Sequence, residues 1–135
     1  MEIDNPFAGS WSYRSLRNDP DLSGEFNALR FGAGTLDLTM PEFGRLQGSL
    51  GGEGWRLDLT GGYSYGNPFA LRFQGSGEIG GEPWVYNYVG YLVPIWPDGV
   101  AQRPAITGSV IRTIPHSGGR ATAGYVASFI AVKQS

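Results

Sequence analysis

The side chains best suited to chemistry are scarce in this sequence. His116 is the single histidine, and the chain has no cysteine. Disulfides, thiolate metal sites and a cysteine nucleophile are therefore excluded, and a histidine-rich metal centre cannot be assembled. We predict no metal and no cofactor. His116 stands in the proline- and glycine-rich segment IPHSGGR (114–120), which favours a solvent-exposed turn residue over a catalytic one.

Three other side chains are candidates for proton transfer. Glu78, in GSGEIGGE, falls at a predicted strand end near the rim of the sheet, where it could act as a base. Tyr86, in WVYNYVGYLV, and Arg112, in GSVIRTI, could assist the same chemistry. The twelve acidic residues are spread thinly along the chain, so no paired-carboxylate site is indicated.

A larger set of aromatic residues predicts a ligand-binding interior. Its members share one face of their strands or stand in a stiff loop, and we expect them to surround a ligand together with one cation: Trp11, Tyr13, Trp84, Tyr86, Tyr88, Trp96 and Arg112. Either Arg14 or Arg112 could orient an acidic or carbonyl group. A filled aromatic core with no ligand explains the same residues equally well.

The segment 94–104 is the stiffest loop of the chain. Pro94, Pro97 and Pro104 restrict its backbone, and Trp96 lies between the first two prolines, where it cannot join a regular strand ladder. We predict that this proline-rich loop is a lid over an apolar cavity. The alternatives are that Trp96 plugs one end of the fold or packs in a subunit interface.

The positions of these residues depend on a fold that reads as all-β. The 135 residues fit one domain, 1–135, in which residues 1–8 form a lead-in. The chain carries 22 glycines and nine prolines, and no long window shows a helical apolar period free of them. Candidate strands such as FNALRF (26–31), GTLDLTM, GWRLDLTG and FALRFQGSGEI recur between turn signals. They predict eight or nine short antiparallel strands.

We predict that these strands close into a single up-and-down β-barrel of about eight strands. Glycines inside the predicted strands suit the sharp bending that a small barrel requires. Examples are Gly75, Gly77, Gly90 and Gly108. Closure would also remove exposed edges from a weakly charged sheet. The alternative is a two-sheet β-sandwich, which needs fewer such glycines.

The C-terminal strands are apolar on both faces. Val85, Val89 and Tyr91 oppose the aromatic face of WVYNYVGYLV, and AGYVASFIAV places Val126 and Ile130 opposite Phe129 and its neighbours. In a single-layer barrel, only another chain or a covering segment can bury the outer face. We therefore predict a homo-oligomer joined through these strands.

Charge and hydropathy exclude other partners. The net charge is −2 and the basic residues are scattered singly, which argues against nucleic-acid binding. No apolar run approaches the roughly 20 residues of a membrane helix, so we predict no membrane partner. The opening MEIDNPF lacks a signal-peptide pattern. A cytoplasmic location is the default, although a chain trimmed of its signal would look the same.

The opening of the first predicted strand carries a resemblance. Gly9-Ser10-Trp11 resembles the start of lipocalins and avidins, the calycin group. The resemblance implies a ligand-holding barrel with Trp11 at its base and a late-strand basic residue packed across the indole. Arg112 is the candidate for that residue. The Thr-Asp-Tyr-like turn of lipocalins is missing, and Tyr13 and Arg14 stand where the biotin-binding polar set of avidins would begin.

The predicted function is non-catalytic binding of a small, apolar or aromatic molecule inside the barrel. One alternative is a cyclase or isomerase, because the predicted architecture is similar to bacterial barrel cyclases and to allene-oxide-cyclase or dirigent-type barrels. The second alternative is a structural or assembly module with a filled core.

Overall fold

The computed structural model describes residues 6–134 and shows an all-β protein. Eight strands follow one another with a single short 3-10 helix between the first two. The strands are β1 (Gly9–Arg17), β2 (Arg30–Thr39), β3 (Arg45–Gly52), β4 (Trp55–Ser64), β5 (Ala70–Ile79), β6 (Glu82–Leu92), β7 (Ala105–Arg112) and β8 (Val126–Lys133). No helix among the described residues is long or apolar enough to cross a bilayer.

The strands form one closed, antiparallel, up-and-down barrel. Each strand pairs with the next, and β8 returns to pair with β1, where Tyr13 stands opposite Ala131 and Ser15 opposite Phe129. This pairing confirms the predicted barrel over the sandwich. Residues 1–5 of the predicted lead-in lie outside the described residues, and Phe7 is fully buried.

The predicted strand FNALRF is the one segment whose assignment was wrong. Its first four residues, Phe26–Leu29, form the 3-10 helix, and its last two begin β2. Arg30 pairs with Leu16 on β1, after a register shift between Ser15 and Leu16. The barrel therefore has eight strands rather than nine.

Strict alternation along the strands separates the core from the surface. On β2, Leu36 and Leu38 are buried while Asp37 is exposed. On β4, Leu57 and Leu59 point inward while Asp58 is exposed. Through most of each strand, every second residue therefore faces the interior, as the sequence pattern predicts. The start of β2 departs from this pattern, because Phe31, Gly32 and Ala33 all line the interior.

Glycines allow neighbouring strands to approach closely where the sheet bends. A Cβ on Gly61 of β4 would lie 2.1 Å from the Arg72 carbonyl oxygen of β5, and a Cβ on Gly108 of β7 would lie 2.0 Å from that of Val89. Real Cβ atoms do not come this close, so these positions require glycine. The role predicted for in-strand glycines is confirmed at Gly108.

The two ends of the barrel differ in how their interiors are packed. We identify each half by the end of β1 that it surrounds. The closed half surrounds the start of β1, and its interior is filled by ten buried side chains. These are Phe7, Trp11, Leu36, Leu38, Leu46, Leu59, Tyr63, Leu71, Ile106 and Ala131. The hollow half surrounds the end of β1 and contains a cavity.

Candidate ligand-binding cavity

The cavity in the hollow half has a volume of about 370 Å³. Its wall is half aromatic and contains no charged side chain. The lining residues are Tyr13, Ser15, Phe31, Gly32, Ala33, Leu50, Trp55, Leu57, Ile79, Trp84, Tyr86 and Tyr88. A volume of this order is in the range of small-molecule sites in proteins.

Part of the cavity exists because two small residues face each other across β1 and β2. These are Ser15 and Gly32, which pair with each other and both line the cavity. A Cβ built on Gly32 would meet only the Ser15 hydroxyl oxygen, at 3.4 Å. In the closed half the same two strands place Leu36 opposite Trp11, and no space remains. Gly32 of β2 therefore leaves space that a larger side chain such as leucine would occupy.

The cavity has one hydroxyl-bearing side and one apolar side. We name the first the hydroxyl wall, which consists of Tyr13, Ser15, Tyr86 and Tyr88 on β1 and β6. The apolar side comes from β3, β4 and β5, through Leu50, Trp55, Leu57 and Ile79. This arrangement suits a ring-shaped molecule that carries hydrogen-bonding groups on one edge.

Burial keeps two phenols of the hydroxyl wall protonated. Desolvation raises the pKa of Tyr13 to about 12, against a smaller lowering by hydrogen bonding from Ser15 and Tyr88. Desolvation likewise raises the pKa of Tyr88 well above its usual value of 10, and Tyr13 adds to the shift. Both side chains are therefore neutral hydrogen-bonding groups at physiological pH.

Tyr86 connects the cavity to a polar network behind it. Its hydroxyl accepts a hydrogen bond from Arg112 Nε at 2.9 Å and lies 2.8 Å from His116 Nε2. Arg112 also donates through a terminal nitrogen to the Thr122 carbonyl oxygen at 3.2 Å. The structure therefore brings the predicted Tyr86 and Arg112 together and adds His116, which the sequence placed in solvent.

His116 is the clearest correction to the sequence analysis. Only 6% of its surface is exposed, and its ring stacks on Trp84 at a centroid distance of 3.6 Å and an angle of 7°. Burial, followed by the positive charge of Arg112, lowers the pKa of His116, while Glu82 partly offsets the shift. His116 is therefore neutral at pH 7 and able to accept the Tyr86 proton.

Glu82 holds the loop that carries His116. Its carboxylate oxygens accept hydrogen bonds from the backbone N–H groups of Ser117 at 3.0 Å and Gly118 at 3.1 Å. The His116 Nδ1 also lies 2.9 Å from the Ser117 hydroxyl. Charge-assisted bonds of this kind are stronger than neutral ones, so the 113–125 loop is anchored beside the cavity.

Arg112 lies among aromatic rings at the edge of the cavity. Its guanidinium carbon is 5.3 Å from the ring centroids of both Phe31 and Tyr125. Phe31 and Tyr125 in turn stack on each other at 5.5 Å. Among residues 6–134, the only two ion pairs are Arg45–Glu42 and Arg56–Asp58, so Arg112 has no carboxylate partner there.

Trp11 lies at the base of the closed half, away from the cavity. Its indole donates to the Phe7 carbonyl oxygen at 3.0 Å, and the ammonium of Lys133 lies 5.7 Å from its ring centroid. The predicted partner Arg112 is wrong, because Lys133 on β8 stands opposite Trp11 on β1. Gly9 makes room for this lysine, since its Cβ would lie 2.9 Å from Lys133 Cε.

Trp96 does not line the interior. It is 72% exposed, and its backbone is held within the loop by a two-way hydrogen-bonded contact with the Gln102 side chain. The proline-rich loop 94–104 connects β6 to β7 at the closed half, where β1 begins. The predicted lid is therefore wrong for this cavity, because the loop lies at the opposite end.

Two predicted charged groups also point away from the cavity. Glu78 is exposed on the outer side of β5, opposite Pro83 of β6, while its neighbour Ile79 faces the cavity. Arg14 is exposed between Ala33 and Ile130 on the adjoining strands. Both are excluded as direct contacts of a molecule in the cavity, because alternation turns them outward.

The predicted set also missed important lining residues. Trp55 was left out although a signal for it exists. It shares its face of β4 with Leu57 and Leu59, so alternation places it inside the barrel. Phe31 was assigned to a separate strand, which hid its position at the cavity edge. No local signal marked His116, because its burial depends on Trp84 of β6 and the long β7–β8 connection.

Comparison with known proteins found no family model, no curated protein and no solved structure that matches this chain. The barrel and its cavity are therefore the features that point to a function.

Proposed function

We propose that this protein is a calycin-type barrel that binds a small, mostly apolar, aromatic molecule without transforming it. The observation that carries the proposal is the aromatic cavity of about 370 Å³ in an otherwise filled barrel. Closed barrels of eight strands have interiors large enough for side chains alone or for one small ligand. A filled-core assembly module, the second alternative, would not be expected to contain such a cavity.

The shape of the barrel supports the same proposal. Trp11, Phe7 and Lys133 seal the closed half, which leaves the hollow half as the side for ligand entry. The base tryptophan beneath a late-strand cation is the arrangement implied by the Gly9-Ser10-Trp11 resemblance. The cation is Lys133 in place of Arg112.

The lining suggests how an aromatic ligand would be held. Trp55, Trp84 and Phe31 offer ring faces and edges, and such aromatic contacts contribute about 0.5–1.5 kcal/mol each beyond the area they bury. Tyr13 and Tyr88 supply neutral hydroxyls at the same site. A ring-containing molecule with a hydrogen-bonding edge is the best match.

The test is calorimetric titration of the protein with 2-naphthamide, a neutral two-ring probe. We expect saturable one-to-one binding to the wild type and at least a tenfold loss in Gly32→Leu, whose side chain enters the cavity. Trp96→Ala is the matched control and should bind like the wild type. Equal binding by Gly32→Leu, or absence of saturable binding of both this amide and its carboxylate counterpart 2-naphthoate, would contradict the proposal.

A second candidate function, proton-transfer catalysis of the cyclase or isomerase kind, is favoured by one observation. Tyr86 lines the cavity and contacts both Arg112 and His116, so a proton could pass between a bound molecule and the imidazole. Deuterium uptake at the α-carbon of 2-tetralone in heavy water tests it. Catalysis requires acceleration over buffer that Tyr86→Phe abolishes, whereas simple binding gives no acceleration.

We also propose that a second copy of this chain covers the outer face of β6–β8. Its outward residues, which include Val89, Val126 and Ile130, are substantially exposed and uncharged, so two copies would meet without charge repulsion. Symmetric interfaces use the same patch on both subunits.

Sedimentation should show a dimer or a larger species. Ile130→Lys should dissociate this species, whereas Thr60→Lys, on the polar outer face of β4, should leave it intact. A wild-type monomer at micromolar concentration would contradict this proposal.

A further inference from the structure

The hydrogen-bond donors behind the cavity exceed the acceptors that the protein offers them. Arg112 has five N–H groups, and its bonds go to the Tyr86 hydroxyl and the Thr122 carbonyl. The remaining terminal nitrogen has no acceptor among the described residues. The indole N–H of Trp84, which also lines the cavity, is buried without an acceptor there.

The positive charge of Arg112 is likewise unbalanced. The nearby carboxylate, Glu82, is engaged by the backbone N–H groups of Ser117 and Gly118. His116 is neutral because burial and Arg112 itself lower its pKa. The surrounding rings of Phe31 and Tyr125 stabilise a cation, and the second terminal nitrogen of Arg112 stays open to an acceptor from a ligand or from water.

Arg112 lies next to the cavity, because two residues that line the cavity also contact its guanidinium group. Phe31 and Tyr86 line the cavity and also contact the guanidinium group. The lining itself contains no charged side chain, and the charged group shown in contact with two of its members is the cation Arg112. A molecule whose rings fill the cavity would place a terminal group at this edge.

We propose that the ligand is an aromatic carboxylic acid, whose rings occupy the cavity and whose carboxylate pairs with Arg112. This inference rests on the proposed function and adds the charge of the ligand. A guanidinium binds a carboxylate through two parallel N–H···O bonds, which matches a planar donor with an unused terminal nitrogen. A carboxylate would also supply the acceptors that this edge of the cavity lacks.

The experiment compares two probes of equal size, 2-naphthoate and 2-naphthamide, by calorimetry at pH 7. A hydrogen-bonded charge pair should make the wild type bind naphthoate at least about tenfold more tightly than the amide. Arg112→Gln should bind both probes equally, and Arg112→Lys should keep only part of the preference, because a lysine lacks the planar fork. Arg14→Gln, on the outer face, should retain the full preference.

The wild-type comparison alone is decisive if Arg112→Gln does not fold. Preference for naphthoate that disappears as the pH falls below about 4, where the carboxylic acid becomes neutral, supports the pairing with Arg112. Equal or weaker binding of naphthoate overturns this inference while leaving the proposed function intact. Binding of neither probe overturns the proposed function itself, so the two failures are distinguishable.

Discussion

The two halves of this barrel use the same strands and the same inside–outside alternation, yet one is solid and the other is hollow. In the closed half, β1 and β2 place Trp11 against Leu36. Two residues further along β1, Tyr13 stands opposite Gly34, and after two more residues Ser15 stands opposite Gly32. The comparison teaches that a cavity needs no change of fold, because a pair of small inward-facing residues such as Ser15 and Gly32 leaves space that Trp11 and Leu36 fill in the other half.

The halves also differ in how their polar groups are satisfied. In the closed half, the Trp11 indole and the Lys133 ammonium donate to backbone carbonyl oxygens of Phe7 and Ala8. In the hollow half, the Trp84 indole has no acceptor among the described residues, and Arg112 has no ion-pair partner there. A structural role accounts for the first pair, and the second pair is consistent with the carboxylate ligand that we propose.

Tryptophan truncation should reveal the largest difference between the halves. Trp11→Ala removes a fully buried indole and should lower the free energy of unfolding by about 3–5 kcal/mol. Trp84→Ala removes a half-buried ring that faces the cavity and should lower the free energy of unfolding by roughly half as much. Exposed Trp96→Ala should stay within about 0.5 kcal/mol. Urea unfolding measures all three, and equal losses for Trp11 and Trp84 would contradict the distinction.

Glycine substitution should give a smaller but opposite pair of effects. Gly61→Ala forces a Cβ against the Arg72 carbonyl oxygen, so we expect a loss of about 1–3 kcal/mol in the free energy of unfolding. Gly32→Ala enters the cavity with only Ser15 nearby and should be neutral or stabilising by up to about 1 kcal/mol. A strongly destabilised Gly32→Ala would mean that the hollow half is already filled.

The smallest expected effect is a pH dependence that belongs to the hollow half. Burial and Arg112 lower the pKa of His116, so the unfolded chain binds its proton at a higher pH than the folded chain. Stability should therefore fall as the pH drops from 7.5 through about 6.5, the usual histidine value. Chemical unfolding at pH 7.5 and 5.5 measures this loss. His116→Gln should remove it, because the sequence has no other histidine.

The sequence predicted the barrel well because its main signal is local. A period of two along each strand is read directly from residues such as Leu36, Asp37 and Leu38, and it assigned the inner faces of β4, β5 and β6 correctly. The resemblance at Gly9-Ser10-Trp11 anticipated a base tryptophan under a cation. It could not select Lys133 over Arg112, because that choice depends on the β1–β8 register.

The wrong predictions about the site have two causes: the direction assigned to the later strands, and packing between residues far apart in the sequence. Counting FNALRF as a strand reverses the direction of every later strand, which moves the proline-rich loop to the wrong end and makes Trp96 look like a lid. The burial of His116 depends on Trp84, which lies 32 positions earlier in the sequence. Residue types alone do not indicate this burial, since IPHSGGR has the composition of an exposed turn.

The most direct measurement of the central claim uses the four tryptophans as reporters in the protein labelled with 15N at its indoles. Trp55 and Trp84 line the cavity, Trp11 lies in the closed half, and Trp96 is exposed at the far end. Titration with 2-naphthamide should shift the Trp55 and Trp84 indole resonances in a saturable manner and leave those of Trp11 and Trp96 in place. Shifts confined to Trp96, or no saturable shift at all, would contradict a ligand-binding hollow half.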